Sequence, residues 1–299
     1  MKPLSPDSFA IGRIDRTRRF LPEAISPLAH TSVYGELSAV ARLRYNQLFA
    51  CSYHEHFIFL ERTLADHILP VLVSHFAHDP LAERLRQFRA EEVVHTAWFH
   101  RLHRACEPEL YQDNYYYFVR TSPLMNRLFA LCASHPVSFP FCLWLAMIIE
   151  ERTLSAAKDI IGDADQLDPH FVDLHRLHAA AEVHHVGLDA EILKRLWPAL
   201  SPPGRLLNRW LFVTLLREFF QLPKRAGWRV ILQLAKEQPA LAPLLPRIRR
   251  ELLALGNEPA YLTTLYSRQR QPRTFALADG FAELRRLEVS LLGIDPATA

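Results

Sequence analysis

The chain has 299 residues, 49% of them hydrophobic and 22% charged, and a formal net charge of +3. This is the composition of a folded globular protein, not of a disordered or fibrous chain. With only 9 glycines, a glycine-looped nucleotide binder and a turn-rich β fold are poor matches, and a mostly helical protein is expected. The small positive charge is spread along the chain, which argues against a nucleic-acid partner, and basic clusters such as Arg247, Arg249 and Arg250 read as solvated helix faces. Cys51, Cys106, Cys132 and Cys142 show neither CxxC spacing nor a secretory leader, so a reducing cytoplasm is the expected location. The longest uncharged apolar run, Val137 to Ile149, is too short to span a bilayer and reads as a buried helix.

Residues 1–30 carry scattered prolines and basic residues without helical period, which predicts an arm lying on the surface or on a partner subunit. From there to residue 299 a single helical domain is expected, with a core over about 33–198 and accessory helices over about 203–292. Over residues 33–76 the spacing of Phe57, Leu60, Leu64 and Ile68 predicts one long amphipathic helix or two in succession, kinked near Pro70. Asp79 and Pro80 form an N-cap and first-turn proline that open a helix to about Cys106. A tyrosine-rich connection, residues 107–122, follows. The plan then repeats: a helix from about Phe139 stops at Gly162, and Asp168 with Pro169 opens another to about Trp197. Beyond Pro203, helices are expected over roughly 205–221, 226–236, 240–255 and 274–292, with no chemistry legible in them.

Glu92 with His95, and Glu182 with His185, form two Glu-x-x-His motifs, whose members share a helix face and can reach one metal ion. Among 15 histidines and 19 glutamates, such pairs alone carry little weight. Their context carries more. Glu-Arg-Thr-Leu occurs at residues 61–64 and again at 151–154, each copy 31 residues before its Glu-x-x-His glutamate. That pattern indicates an internal duplication in which each half is a helix bearing one glutamate followed by an antiparallel helix bearing Glu-x-x-His. Two such halves make an all-α, ferritin-like four-helix bundle around a di-metal site. Glu61, Glu92, Glu151 and Glu182 supply four negative charges that two divalent cations neutralise, and neutral His95 and His185 add a nitrogen to each. The repeat selects Glu151 over Glu150, and His178, one turn before Glu182, is a candidate seventh ligand.

At these residues, and at Arg44-Tyr45-Asn46-Gln47, the sequence resembles the di-iron N-oxygenase family typified by p-aminobenzoate N-oxygenase over roughly residues 40–190. The resemblance implies two iron ions per chain held by Glu61, Glu92, His95, Glu151, His178, Glu182 and His185, with Glu92 and Glu182 bridging. It implies an O2-dependent monooxygenase that transfers oxygen to the nitrogen of a small amine or amino-acid-derived substrate, in the biosynthesis of specialised metabolites. Manganese suits the same ligand types as iron. An external electron donor is implied as a partner; a homodimer and an acidic carrier protein are further candidates, whereas nucleic acid and membrane are not. Rival readings are a di-iron oxidase that rearranges, C-hydroxylates or desaturates its substrate, and a non-catalytic iron-binding protein. Phe57, Phe88, Phe99 and Met147 are candidate pocket residues by helical phase.

Overall fold

Ser38 accepts a hydrogen bond from the Ala41 N–H and so opens the first long helix, α1 (Ala39–Thr63). The computed structural model describes residues 5–112, 114–221 and 224–293. Among these the backbone is helix and loop, with one isolated bridge between Arg19 and Leu167. From Tyr45 to Ile58 every residue of α1 is buried, which marks it as the central element and not a surface helix. A π-turn, Leu64–Ile68, joins it to α2 (Leu69–His75). Pro70 therefore sits just after a turn whose hydrogen-bond ladder is already interrupted, and the expected kink takes this form.

The next helix, α3 (Leu81–Cys106), starts where the Asp79 carboxylate accepts from the Leu81 N–H at 2.8 Å. It returns along α1, since Thr96 meets Glu61 towards one end and Cys106 meets Cys51 towards the other. After the tyrosine-rich loop come α4 (Pro123–Ala133), α5 (Phe141–Gly162) and α6 (Pro169–Leu196). Asp168 caps α6 by accepting from the His170 and Phe171 N–H groups, as its Asp-Pro signature predicts. Helices α1, α3, α5 and α6 form the bundle.

The remaining helices wrap it. They are α7 (Pro202–Leu215), running into a second π-turn at Leu216–Gln221, then α8 (Lys224–Glu237), α9 (Leu245–Ala254), α10 (Pro259–Leu265), α11 (Pro272–Asp279) and α12 (Leu287–Leu292). α7 lies against α5, α8 against α1, and α11 across α5 and α6. The single helix expected over 274–292 is thus two short ones, and α10 has no counterpart in the periodicity. Repeated Pro and Gly break this stretch into pieces that hold together only by packing on the bundle.

The amino-terminal segment departs from the expected surface arm. Phe9, Phe20, Leu21, Leu28 and Val33 are buried in the same core as the bundle, and Phe20 stacks on Phe171 of α6 with ring centroids 4.0 Å apart. The reason lies in Arg44-Tyr45-Asn46-Gln47. Asn46 accepts from the Phe20 and Leu21 N–H groups and donates to the Leu21 carbonyl. Gln47 donates to the Arg16 and Arg18 carbonyls, and the Tyr45 hydroxyl accepts from the Leu28 N–H. These side chains satisfy an irregular backbone that would otherwise be buried with unpaired groups. Replacing Asn46→Ala orphans three backbone groups at ~1–3 kcal/mol each, so a loss of roughly 3 kcal/mol or more is expected in denaturant unfolding. A loss below about 1 kcal/mol would show that water or relaxation restores those bonds.

Candidate metal centre

Six of the seven residues singled out from the sequence meet inside the bundle. Glu61 comes from α1, Glu92 and His95 from α3, and His178, Glu182 and His185 from α6, none more than 5% exposed. His178 Nε2 lies 3.0 Å from Glu61 and 2.9 Å from Glu182, and His185 Nδ1 lies 3.0 Å from Glu92. His95 Nδ1 is 3.3 Å from Glu182. Potential ligand atoms fall into two overlapping groups, Glu92, His95, Glu182 and His185 on one side and Glu61, His95 and His178 on the other, with all atoms of a group within 4.8 Å of one another.

Glu151 is not among them. Its carboxylate accepts from the Arg273 and Thr274 N–H groups at 2.8 Å and from the Thr274 hydroxyl, so it caps the N-terminus of α11. The residue that turns inward from α5 is Glu150, buried with no hydrogen-bond donor on either oxygen. Burial, and then the carboxylate of Asp189, push its carboxyl well above the usual carboxylate range, with Glu182 and Glu92 adding to the effect. From α5 it is thus Glu150, and not the Glu151 chosen on the repeat, that faces the cluster, although Glu150 joins neither group of convergent ligand atoms. Adjacent helical residues point about 100° apart, and the accessory helix α11 occupies the flank that Glu151 faces.

Two further acids join the cluster from outside the predicted set. Glu91 holds the outer nitrogen of His185, with Nε2 to carboxylate at 2.8 Å, and so directs Nδ1 inward. Asp189, one turn beyond His185, is completely buried beside Glu150. Glu91 adjoins a motif residue and Asp189 continues its face, but spacing alone distinguishes neither from a solvated acid. Of the candidate pocket residues, Phe88 stacks on His185 and Phe99 meets His178 edge-on, while Met147 is buried core. Two of them also line cavities: Phe57 a small one beside Arg152, and Phe88, with Glu91 and His185, one of about 860 Å3 between α3 and α6.

The donor set suits a pair of divalent cations. Neither oxygen of Glu92 or Glu150 has a well-directed hydrogen bond, although His185 Nδ1 lies close to Glu92, and Glu61, Glu182 and all three histidines have at least one buried atom without a hydrogen-bond partner. Four carboxylates gathered in a dry interior repel one another and require positive charge between them. Without cations only protons can serve. Burial opposes a charged His178, yet the Glu182 and Glu61 carboxylates lift it to about 10, and His185 is raised well above its ordinary value by Glu182 against the same penalty. Such histidines carry protons at pH 7 that an incoming metal must displace.

Two outcomes follow from this geometry. Glu150→Ala is expected to lower iron content well below two per chain, whereas Glu151→Ala keeps the iron and lowers the melting temperature; the reverse pattern would return Glu151 to the ligand set. Titrating zinc into the chelator-treated chain in buffers of different ionisation enthalpy should show proton release at pH 7, and an affinity that rises with pH towards about 10. Binding without proton release would contradict protonated imidazoles in this cluster.

Among the described residues no helix is long and apolar enough to cross a membrane. No curated protein matches the chain. The family model described as P-aminobenzoate N-oxygenase AurF matches residues 10–243, which includes the amino-terminal segment, the whole bundle and the first two accessory helices. With a ferritin-like bundle and a buried carboxylate and histidine cluster over the same residues, the chain belongs to the p-aminobenzoate N-oxygenase (AurF) family of di-iron helical proteins.

Proposed function

We propose that the protein is a di-iron monooxygenase that oxygenates the amine nitrogen of a small aromatic amine bearing a carboxylate. The observation that carries the first part is the cluster itself: ligand atoms of Glu61, Glu92, His95, His178, Glu182 and His185 converge in two groups, and Glu150, buried beside them, would complete a set for two irons. Bound iron supplies the activation of O2. The overall reaction, ArNH2 + O2 + 2e− + 2H+ → ArNHOH + H2O, needs an external electron donor and two protons per turnover. Manganese fits the same ligands, and metal analysis of active protein decides between the two.

The second part rests on a cavity of about 20 Å3 beside the cluster, lined by Tyr53, His56, Phe57, Ile149, Arg152 and Gln221 among others. Phe57 lies one turn before Glu61, and Ile149 adjoins Glu150. The Arg152 guanidinium donates to the Phe220 carbonyl and the Tyr266 hydroxyl, both at 3.1 Å, and lies over the rings of Tyr53 and Tyr266. Among the described residues no acid pairs with it. The Tyr53 hydroxyl, His56 Nε2 and Gln221 Oε1 are likewise without partners. A largely buried cation among unpaired polar groups is well placed for a ligand carboxylate. Tyr53 precedes Glu61 by eight residues, a rise of about 12 Å along α1, a separation that a ring would span between the anchor and the metal centre once the cavity wall is displaced.

Access is supported by a second cavity of about 330 Å3 that shares Pro27 and Phe49 with the first. Tyr45, Trp228 and Leu252 give it an apolar wall, and Lys224, Arg225 and Arg249 lie at its edge. A basic rim over an apolar channel attracts an anionic arene. Phe220 and Gln221, at the end of the second π-turn, form part of the inner wall, and such turns recur at functional sites. The inner space holds about one water, so a substrate enters by displacing this wall.

Iron-loaded, reduced protein given O2 is expected to convert p-aminobenzoate faster than aniline. Losing one charged hydrogen-bonding partner costs ~1.5–3 kcal/mol, so Arg152→Gln should raise KM for the acid roughly 10- to 100-fold and change aniline oxidation little. Equal effects on the two substrates would remove the carboxylate from the proposal. Absence of any nitrogen oxidation by two-iron protein across acidic and neutral amines would favour an iron-binding role without catalysis.

A further inference from the structure

The cavity beside Arg152 has a hydrogen-bond inventory that a carboxylate alone does not satisfy. Among its lining residues only Arg152 is charged, and both of its hydrogen bonds use Nη1, so Nε and Nη2 are left for a ligand among the described residues. The other polar groups ask for the opposite partner. His56 Nδ1 lies 2.8 Å from the Ser52 carbonyl, one turn earlier in α1. A carbonyl only accepts, so Nδ1 carries the ring proton, and Nε2, at the end of the ring turned away from the helix, presents a lone pair. Gln221 is fixed in the same manner: its Nε2 donates to the Leu291 carbonyl at 2.9 Å, which leaves Oε1 as an acceptor. His56 Nε2 and Gln221 Oε1 have no partner among the described residues, and neither residue is more than 8% exposed.

His56 does not become a second cation for an acid group. Burial brings it down to about 4 against the Ser52 hydrogen bond, and the Arg152 charge adds to the effect. A carboxylate held by Arg152 would therefore turn lone pairs towards the lone pairs of His56 and Gln221, and a buried acceptor left without a donor opposes binding. The Tyr53 hydroxyl brings a single O–H, enough for one acceptor. The reacting amine does not serve His56 either. His56 precedes Glu61 by five residues, a rise of about 7.5 Å along α1, so an amine held at the metals lies beyond its reach. An ammonium group would satisfy the acceptors but would leave the Arg152 charge uncompensated in a buried site. A neutral donor meets both demands.

We propose that the substrate is an arene bearing a hydroxyl group beside its carboxylate, with the carboxylate on Arg152 and the O–H donated to His56 Nε2. The hydroxyl belongs meta to the carboxylate, because an ortho hydroxyl turns its hydrogen onto its own acid group. Tyr53 and Gln221 complete the same end of the site, Tyr53 from the central helix and Gln221 from the wall that a substrate displaces. The inference deepens the amine-oxygenase reading and rests on it for the identity of the reacting group. The preference for a hydroxyl is a property of binding alone, with no electron or proton transferred.

The test is calorimetric binding of 3-hydroxybenzoate and 3-methoxybenzoate to two-iron protein kept free of O2. The methoxy group fills the same place without an O–H. 3-Hydroxybenzoate should bind about tenfold or more tighter, and His56→Phe should cut that ratio to below about threefold. His56→Gln, whose amide oxygen can accept, should restore most of the ratio, which a packing defect would not allow. Equal binding of the two acids to the wild type, or a ratio that survives in His56→Phe, would overturn the hydroxyl and leave the Arg152 anchor standing. Failure of both acids to bind would overturn the two together. Hydroxyl-dependent binding by protein that oxygenates no amine would uphold the site and refute the oxygenase reading.

Discussion

The structure depends on one electrostatic constraint: four carboxylates converge where water cannot screen them. Glu61, Glu92, Glu150 and Glu182 arrive from all four bundle helices, so their mutual repulsion acts directly against the packing that creates the core. Neighbouring imidazoles soften the problem by offering protons or, with metal, neutral nitrogens. Glu91 completes the arrangement by holding one of those imidazoles from outside. A bundle under this tension is stable only in a form that takes up positive charge, which ties folding, metal binding and activity to the same side chains.

The neighbouring Glu150 and Glu151 show how finely the constraint is met. Both are buried and chemically identical, yet one faces the charged cluster while the other caps α11. The accessory helices, which read as featureless in sequence, thereby take part in the site. They withdraw one carboxylate from the interior, and they bring Phe220, Gln221 and Tyr266 against Arg152. A four-helix core alone would hold the metals. The added segment supplies part of the wall of the Arg152 cavity.

α1 organises these parts. Its inward turns present Glu61 to the metal cluster, Tyr53 and His56 to the Arg152 cavity, and His54 to the buried His175 of α6. This accounts for its burial on every side from Tyr45 to Ile58, and for the unpaired Tyr53 hydroxyl, His54 Nδ1 and His56 Nε2 within that stretch. The amino-terminal segment belongs to the same design, because Tyr45, Asn46 and Gln47 of α1 pin it across the bundle and close the core over Phe20.

Helical periodicity, proline and aspartate caps and the duplicated Glu-Arg-Thr-Leu made the bundle and six cluster residues legible from sequence. Spacing along a helix fixes which side chains share a face, and a charge buried in the core must be met by one of opposite sign. The choice between Glu150 and Glu151, the roles of Glu91, Asp189 and Arg152, and the burial of the amino-terminal segment were not legible in this way. Each is decided by what a distant stretch of chain places opposite: the α11 N-terminus, the α3 acid beside His185, the π-turn at Leu216–Gln221, or the side chains of Asn46 and Gln47. A single helix's pattern says which way a residue points; only the packed helices say what it meets there.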